Sequence, residues 1–207
     1  LSYEAFLSSL QEADQDLKNT WAEVIARFLN GHYRHANLVH PHPHPGNHRF
    51  NPHGTVGFLD FGCITILPER LRWLWVSFLR ATFDGRKEDY RELMIEMGFL
   101  TADSSVSADD VHQWFAETAY EINAPQPATY TPETTARTIR GMFDVRSSDH
   151  LAAQVTLPPQ HAFTSRIQLA FASVAAGLHA TLPIRAIHED MDGIAAPVTE
   201  LGTLHHS

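Results

Sequence analysis

The chain has 207 residues, of which 43% are hydrophobic and 19% charged, so it is long enough to form one globular domain with a real core. Its formal net charge of −9, without any run of Lys or Arg, argues against nucleic acid as a partner and against docking on anionic lipid through a polybasic segment. Cys63 is the single cysteine, which excludes an intrachain disulfide and fits a cytoplasmic location, and no stretch is apolar enough to predict a transmembrane helix.

The first predicted element is an amphipathic helical segment within residues 2–30. Its apolar side chains recur at spacings of three and four residues, which places them on one helical face. An acidic stretch at residues 14–16 is consistent with a break, so the pattern allows one helix or two. By itself the pattern is that of any helix that packs on a core.

A turn-rich segment and a short hairpin follow. Alternating prolines in residues 31–47 exclude a helix and hold the backbone extended. Residues 48–50 and 55–59 then predict two strands that are joined by a Pro-His-Gly turn. The hairpin brings its two flanks together, which are the end of the proline segment and the residues after the second strand.

These two flanks carry side chains suited to a magnesium site. Asn47 ends the turn-rich segment, and Asp60 is the first residue of an Asp-Phe-Gly sequence after the second strand. Mg²⁺ prefers hard oxygen ligands and is usually held by one or two side chains together with the phosphates of a nucleotide. Taken singly, Asn47 would be explained as a turn residue and Asp60 as a turn or capping carboxylate. The pair favours a nucleotide–metal site only in combination with the sequence that surrounds it.

The surrounding sequence resembles the AarF/UbiB family of atypical kinases. Residues 42–47 read H-P-H-P-G-N where the family has D-P-H-P-G-N, and residues 59–62 read L-D-F-G as in the family. The resemblance implies a mainly α-helical, protein-kinase-like C-lobe with one short β-hairpin that carries the metal-site loop. Weaker likeness in the helices extends it over most of residues 15–185.

The resemblance also implies an activity and its cofactors. ATP and Mg²⁺ are the implied cofactors, with Asn47 and Asp60 as the metal and nucleotide-binding residues. Phosphotransfer or ATP hydrolysis is the implied reaction, with an unknown phosphate acceptor. The implied biological role is in ubiquinone (isoprenoid-quinone) biosynthesis, in the cytoplasm or in peripheral association with a membrane or lipid.

The chain departs from the family pattern at His42, where the family has its catalytic-loop Asp. A neutral imidazole can accept a proton near pH 7, so His42 is a candidate base in a working enzyme. The alternative is a degraded catalytic loop in a catalytically silent nucleotide-binding pseudokinase or scaffold. Only two lysines occur, and no strand-rich segment precedes residue 40, so we expect the nucleotide-binding N-lobe to be absent from this chain.

Histidine enrichment suggests a third interpretation, in which the primary function is metal capture. Seven of the fourteen histidines lie between His32 and His53, and imidazole is a good ligand for Zn²⁺, Ni²⁺ or Cu²⁺. However, the H-P-H-P-H run lacks the spacing of structural zinc sites, and no cysteine accompanies it.

The rest of the chain is predicted to be nearly all helical. Pro68 is expected to open a helix that closes at Gly85, the next helix is expected to stop at Gly98, and Ser107 is expected to cap another. Residues 123–132 are predicted to be a linker, and helices are expected at about 133–146, 158–180 and 184–192. We assign residues 1–193 to the kinase-like C-lobe and 194–207 to a loosely ordered tail.

Overall fold

A computed structural model describes residues 8, 10–40, 43–144 and 151–206, and in them the chain is mainly helical with three small antiparallel sheets. The helices are α1 (Gln15–Ala36), α2 (Glu69–Phe83), α3 (Lys87–Glu96), α4 (Ala108–Thr118), α5 (Tyr120–Asn123), α6 (Pro132–Phe143), α7 (Leu151–Gln154), α8 (Ala162–Gly177), α9 (Ile184–Met191) and α10 (Glu200–His205). The strands are β1 (Leu38–Val39), β2 (His48–Phe50), β3 (Val56–Phe58), β4 (Thr65–Ile66), β5 (Ala128–Thr129) and β6 (Thr181–Leu182). The mainly α-helical fold class predicted from the sequence is confirmed.

Helix α1 is the central element of the first of two hydrophobic clusters. Its face of Trp21, Ile25 and Leu29 is almost completely buried and packs with residues of α8 and α9. The Asp14 side chain accepts a hydrogen bond from the Leu17 N–H at 2.8 Å and so caps the helix start. Residues 10–12 are also helical and residues 13 and 14 are not, so the segment forms two helices with the break next to the acidic stretch. The second helix continues to Ala36, so the prediction that residues 31–47 contain no helix is wrong for residues 31–36.

The second cluster joins α2, α3 and α4. Phe78, Tyr90 and Phe115 form its aromatic centre, with Phe78 and Tyr90 ring centroids 4.3 Å apart. Helix α2 starts directly after Pro68, and Gly98 has a φ of 84° just past the end of α3. The structure therefore confirms these two predicted helix boundaries. They were predictable because Pro and Gly act within a single turn of the chain.

Two sheets were not predicted from the sequence. The hairpin β2–β3 was expected, but β1 also pairs with β4. In addition, β5, which lies inside the segment predicted as a linker, pairs with β6. Each of these four extra strands has only two residues. A two-residue strand is too short to show an alternating pattern, so the sequence gives no signal for it.

The segment after Gly193, which we expected to be loosely ordered, contains helix α10. The Thr199 side chain accepts a hydrogen bond from the Gly202 N–H at 3.0 Å and donates one to a carboxylate oxygen of Glu23 in α1. Gly202 is buried, and a Cβ atom there would lie 2.6 Å from Arg27 Nη2. Contacts with α1, distant in sequence, therefore order this segment.

Two arginines of α1 form buried ion pairs with the C-terminal part of the chain. Both terminal nitrogens of Arg27 donate to the Asp190 carboxylate, at 2.9 and 2.7 Å, and its Nε donates to Glu23 at 2.7 Å. Burial opposes the charge of Arg27, but the hydrogen bonds to Asp190 and Glu23 raise its pKa above the ordinary value. Arg34 pairs with Asp192 at 2.6 Å in the same way.

Among the described residues, none of the helices combines the length and the hydrophobicity that a membrane span requires.

Candidate functional site

The loop that carries Asn47 is shaped by His44. Its Nδ1 accepts a hydrogen bond from the Gly46 N–H at 3.0 Å, which starts a single 3₁₀ turn over Pro45–Asn47. The Asn47 N–H closes this turn by donating to the His44 carbonyl at 2.8 Å. The turn ends at Asn47, which therefore lies directly before β2.

The hairpin then sets Asn47 beside Asp60. His48 pairs with Phe58 across the two strands, and the Leu59 N–H donates to the Asn47 carbonyl at 2.9 Å. Because the backbone pairing continues to the end of the hairpin, the two side chains project from adjacent strand ends. The Asn47 Nδ2 atom lies 3.4 Å from Asp60 Oδ2. The structure therefore brings together these two predicted site residues.

Asp60 has an uncommon backbone conformation. Its φ and ψ are both 62°, in the left-handed region, and its side chain is exposed. A residue other than glycine in this region costs about 1 kcal/mol or more, and such conformations cluster at functional sites. The residue precedes a 3₁₀ turn over Phe61–Cys63, so the left-handed step turns the chain sharply after β3.

Aromatic packing fixes the hairpin to α1. The Phe28 ring of α1 stacks on Phe58 of β3 with centroids 3.6 Å apart and planes inclined by only 6°. The Phe61 ring, next to Asp60, packs in an edge-to-face arrangement with the His40 ring, and the two ring centroids are 5.2 Å apart. On the other side of the hairpin, the Trp21 indole donates to the Asn51 carbonyl at 2.9 Å. These contacts hold the site against a rigid helix.

Comparison with known proteins identifies the segment that contains this site. Residues 6–94 match the family model of the ABC1 atypical kinase-like domain. This match covers less than half of the chain and agrees with the resemblance of residues 42–62 to the AarF/UbiB family of atypical kinases. The matched segment runs from before α1 into α3 and includes both Asn47 and Asp60.

A solved structure shares the fold of most of the chain. Rv3197 from Mycobacterium tuberculosis, in its complex with erythromycin, superposes with a TM-score of 0.70 at 21% sequence identity. The comparison covers 91% of this chain and 47% of that one, so the chain spans about half the length of this structural neighbour. No curated protein gives a significant match.

Two buried histidines, His40 and His48, lie beside the hairpin site, and neither was selected from the sequence as part of a nucleotide site. Both ring nitrogens of His40, and Nδ1 of His48, are buried and make no hydrogen bond among the residues described. Burial, with smaller contributions from the neighbouring His40 and His44, lowers the pKa of His48 to about 4. Both rings contact phenylalanines of the site, so they act as packing groups. Only their place within the motif region could have indicated them.

The other predictions for this region concern His42 and metal capture. His42, the candidate base, lies outside the residues that the structure describes. Within the described ranges, no group of three or more His, Cys, Asp or Glu side chains is arranged to hold a metal ion. Metal capture by the H-P-H-P-H run is therefore without support from the described histidines.

The chemistry of Asn47 and Asp60 fits a magnesium ion that is shared with a nucleotide. An amide oxygen and a carboxylate are hard oxygen ligands, and two such protein ligands leave room for phosphate oxygens and water. Amide oxygen and nitrogen are assigned from hydrogen bonding, so a rotation of the Asn47 amide would present its oxygen on the side of Asp60. The exposure of Asp60 leaves the carboxylate accessible from solvent.

Proposed function

We propose that the chain is the C-lobe part of an ATP- and Mg²⁺-dependent atypical kinase or ATPase. Asn47 and Asp60 would hold Mg²⁺, and the bound ion would neutralise charge on the phosphate oxygens of ATP. The observation that carries the proposal is the 3.4 Å approach of these two side chains at the end of one hairpin. The similarity of residues 6–94 to the ABC1 atypical kinase-like domain supports it.

The residues around the metal ligands have positioning roles in this proposal. His44 holds the 3₁₀ turn that presents Asn47, and Phe58 anchors the hairpin on Phe28. The left-handed backbone of Asp60 directs its carboxylate towards Asn47. A phosphoryl-transfer site works mainly by positioning and charge neutralisation, so such rigid support is what the reaction needs.

The wider role in the proposal comes from the family resemblance. An unknown acceptor would receive the phosphoryl group, or water would in an ATPase. The role would be in ubiquinone biosynthesis, with the protein in the cytoplasm or peripherally associated with a membrane or lipid. The other contacts to the nucleotide would come from an N-lobe, which we expect to be absent from this chain.

Metal binding and turnover in the full-length protein test the proposal. Mn²⁺ in place of Mg²⁺ gives an electron paramagnetic resonance signal that reports binding without any need for activity. We expect Asp60→Ala to abolish both the nucleotide-dependent Mn²⁺ signal and ATP turnover. Asp103→Ala removes an exposed carboxylate in the loop between α3 and α4 and should change neither. Equal Mn²⁺ binding in both variants would contradict the proposal.

A catalytically silent nucleotide-binding module or scaffold is the second candidate, and the histidine at position 42 favours it. It predicts that Mn²⁺ and ATP bind to the full-length protein without turnover. His42→Asp would then restore ATP hydrolysis or transfer. In a working enzyme that uses His42 as its base, turnover would instead be present in the unmodified protein and would be lost on His42→Ala.

A further inference from the structure

A large apolar cavity lies between α2, α4, α6 and α8, away from the Asn47–Asp60 site. Its volume is about 440 Å³, which is within the range of small-molecule sites. Aromatic side chains form much of its wall, including Trp75, Trp114 and Phe171. Neither Asn47 nor Asp60 lines it. The space opens to solvent beside the exposed side chains of Phe143 and Leu157, so a ligand could enter it from the surface.

The cavity lies mostly outside the segment matched by the kinase-like family. Of its described lining residues, only Trp75, Phe78, Leu79 and Met94 fall within residues 6–94. The others belong to the later helices and the connections between them. A role for the cavity would therefore be added to the function proposed for the hairpin site.

Two polar side chains border this apolar space without complete hydrogen bonding. Glu121 is 4% exposed and Thr138 is 6% exposed. Glu121 Oε1 and Thr138 Oγ1 are buried and have no hydrogen-bond partner among the described residues. A buried polar atom without a partner costs about 1–3 kcal/mol, so it needs an explanation.

The charge around the cavity limits which chemical group could form a hydrogen bond with Glu121 Oε1. Among the described lining residues Glu121 is the only carboxylate, and Lys, Arg and His are absent. The charge of Glu121 also contributes, after burial, to the raised pKa of Tyr130 on the same wall. An anionic group would be repelled here, whereas an O–H or N–H donor would satisfy the carboxylate.

We propose that this cavity binds an apolar small molecule whose polar end is a hydrogen-bond donor, with Glu121 as the principal acceptor. The apolar body lies against the aromatic wall, where its removal from water drives binding. The donor at its end meets the carboxylate of Glu121. Burial of the ligand then removes both the empty space and the unpaired acceptor.

Three probes that share a ten-carbon chain test the head group. 1-Decanol has a donor, 1-methoxydecane has the same chain without one, and decanoate carries a negative charge. Calorimetric titration of the purified protein gives each affinity, and Trp75 and Trp114 give a fluorescence signal for occupancy of the cavity. We expect decanol to bind about tenfold more tightly than methoxydecane, which corresponds to one satisfied hydrogen bond, and decanoate to bind weakest.

Two pairs of variants locate the binding. Glu121→Leu should make decanol and methoxydecane bind equally, whereas Glu117→Leu, in α4 and outside the described lining, should leave the preference unchanged. Ser165→Leu narrows the cavity from α8 and should weaken both probes. Ser173→Leu is the same change at an exposed position of the same helix and should not.

Several results would overturn the proposal. They are a lack of saturable binding of any probe, equal binding of decanol and decanoate, and unchanged binding in Ser165→Leu. Circular dichroism establishes that each variant is folded. If Glu121→Leu fails to fold, Thr138→Val and Glu121→Gln replace it, because each changes a polar group with little change in shape. If Glu121→Gln discriminates against decanoate as strongly as the unmodified protein does, this result counts against the role of Glu121.

Discussion

The interface between α1 and α9 and the hairpin β2–β3 both place carboxylates beside the same long helix, but in opposite surroundings. Asp190 in α9 is completely buried and accepts two hydrogen bonds from Arg27. Asp60 after β3 is exposed and has a strained backbone conformation. A buried and fully paired carboxylate stabilises the fold only while its partner remains, whereas an accessible one can bind a ligand. The comparison separates structural charge from candidate functional charge.

The largest effect is expected at the buried pair. Asp190→Asn keeps the shape of the side chain but removes the carboxylate that accepts two hydrogen bonds from Arg27, which leaves Glu23 as its remaining ion-pair partner, and we expect a loss of about 3 kcal/mol in the free energy of unfolding. Urea denaturation measures it. The matched change Asp109→Asn removes an exposed partner of Lys87 and should have little effect. Similar losses in the two variants would remove the distinction between the regions.

A pH-dependent loss of stability is expected from the packing of the hairpin. His48 has a pKa of about 4 in the folded chain against an ordinary value of 6.5, so between these values the unfolded chain binds more protons. The contribution of neutral His48 to the free energy of unfolding is therefore fully present above pH 6.5. It is lost as the pH decreases towards 4, by up to about 1.4 kcal/mol per pH unit. His161 and His188, whose pKa values are also lowered by burial, add to the same trend.

His48→Leu isolates the contribution of the hairpin. Denaturation of the variant between pH 7 and pH 4.5 should show a shallower dependence than that of the unmodified protein, with the remainder due to the other two histidines. An unchanged slope would mean that His48 is not neutral and buried in the folded chain.

A third prediction concerns the connection between the hairpin and α1. Phe28→Ala removes the ring that stacks on Phe58, and we expect a loss of about 2 kcal/mol, because Phe28 is only partly buried. The hairpin would then be less well fixed, so Mn²⁺ binding at Asn47 and Asp60 should weaken severalfold. Phe163→Ala, at an exposed position of α8, should leave Mn²⁺ binding intact.

The smallest effect is expected at Asp60 itself and has the opposite sign. Asp60→Gly relieves the left-handed conformation, so stability should stay the same or rise by up to about 1 kcal/mol. The same change removes the proposed metal ligand and should abolish Mn²⁺ binding. Stability from denaturation and binding from paramagnetic resonance would therefore move in different directions. A clear loss of stability would place Asp60 with the structural carboxylates.

What the sequence could predict depended on the distance over which each interaction acts. The approach of Asn47 and Asp60 was predictable because thirteen residues and one hairpin join them. The helix ends at Pro68 and Gly98 were predictable for the same reason. By contrast, the Arg27–Asp190 pair joins residues 163 positions apart. No local pattern distinguishes such a pair from two charges on solvent-exposed helix faces.

The same reason explains the unpredicted order of the tail and the unpredicted cavity. Helix α10 depends on Thr199 and Gly202 meeting α1, and the cavity depends on how four helices fit together. Amphipathic spacing predicts that a helix has a buried face but not how completely the opposing faces fill the space between them. Glu121 in a short helix gave no sequence signal because its burial is visible only after packing.

The antiparallel register of the hairpin has a consequence for tolerance to insertion. Side chains alternate along a strand, so adding one residue within β3 would turn Phe58 away from α1 and shift Asp60 out of step with Asn47. The exposed tip at Asn51–His53 lies outside the paired residues, and lengthening it would preserve the alignment. Variation in length among homologous chains should therefore concentrate at this tip, while the number of residues in the paired arms stays constant.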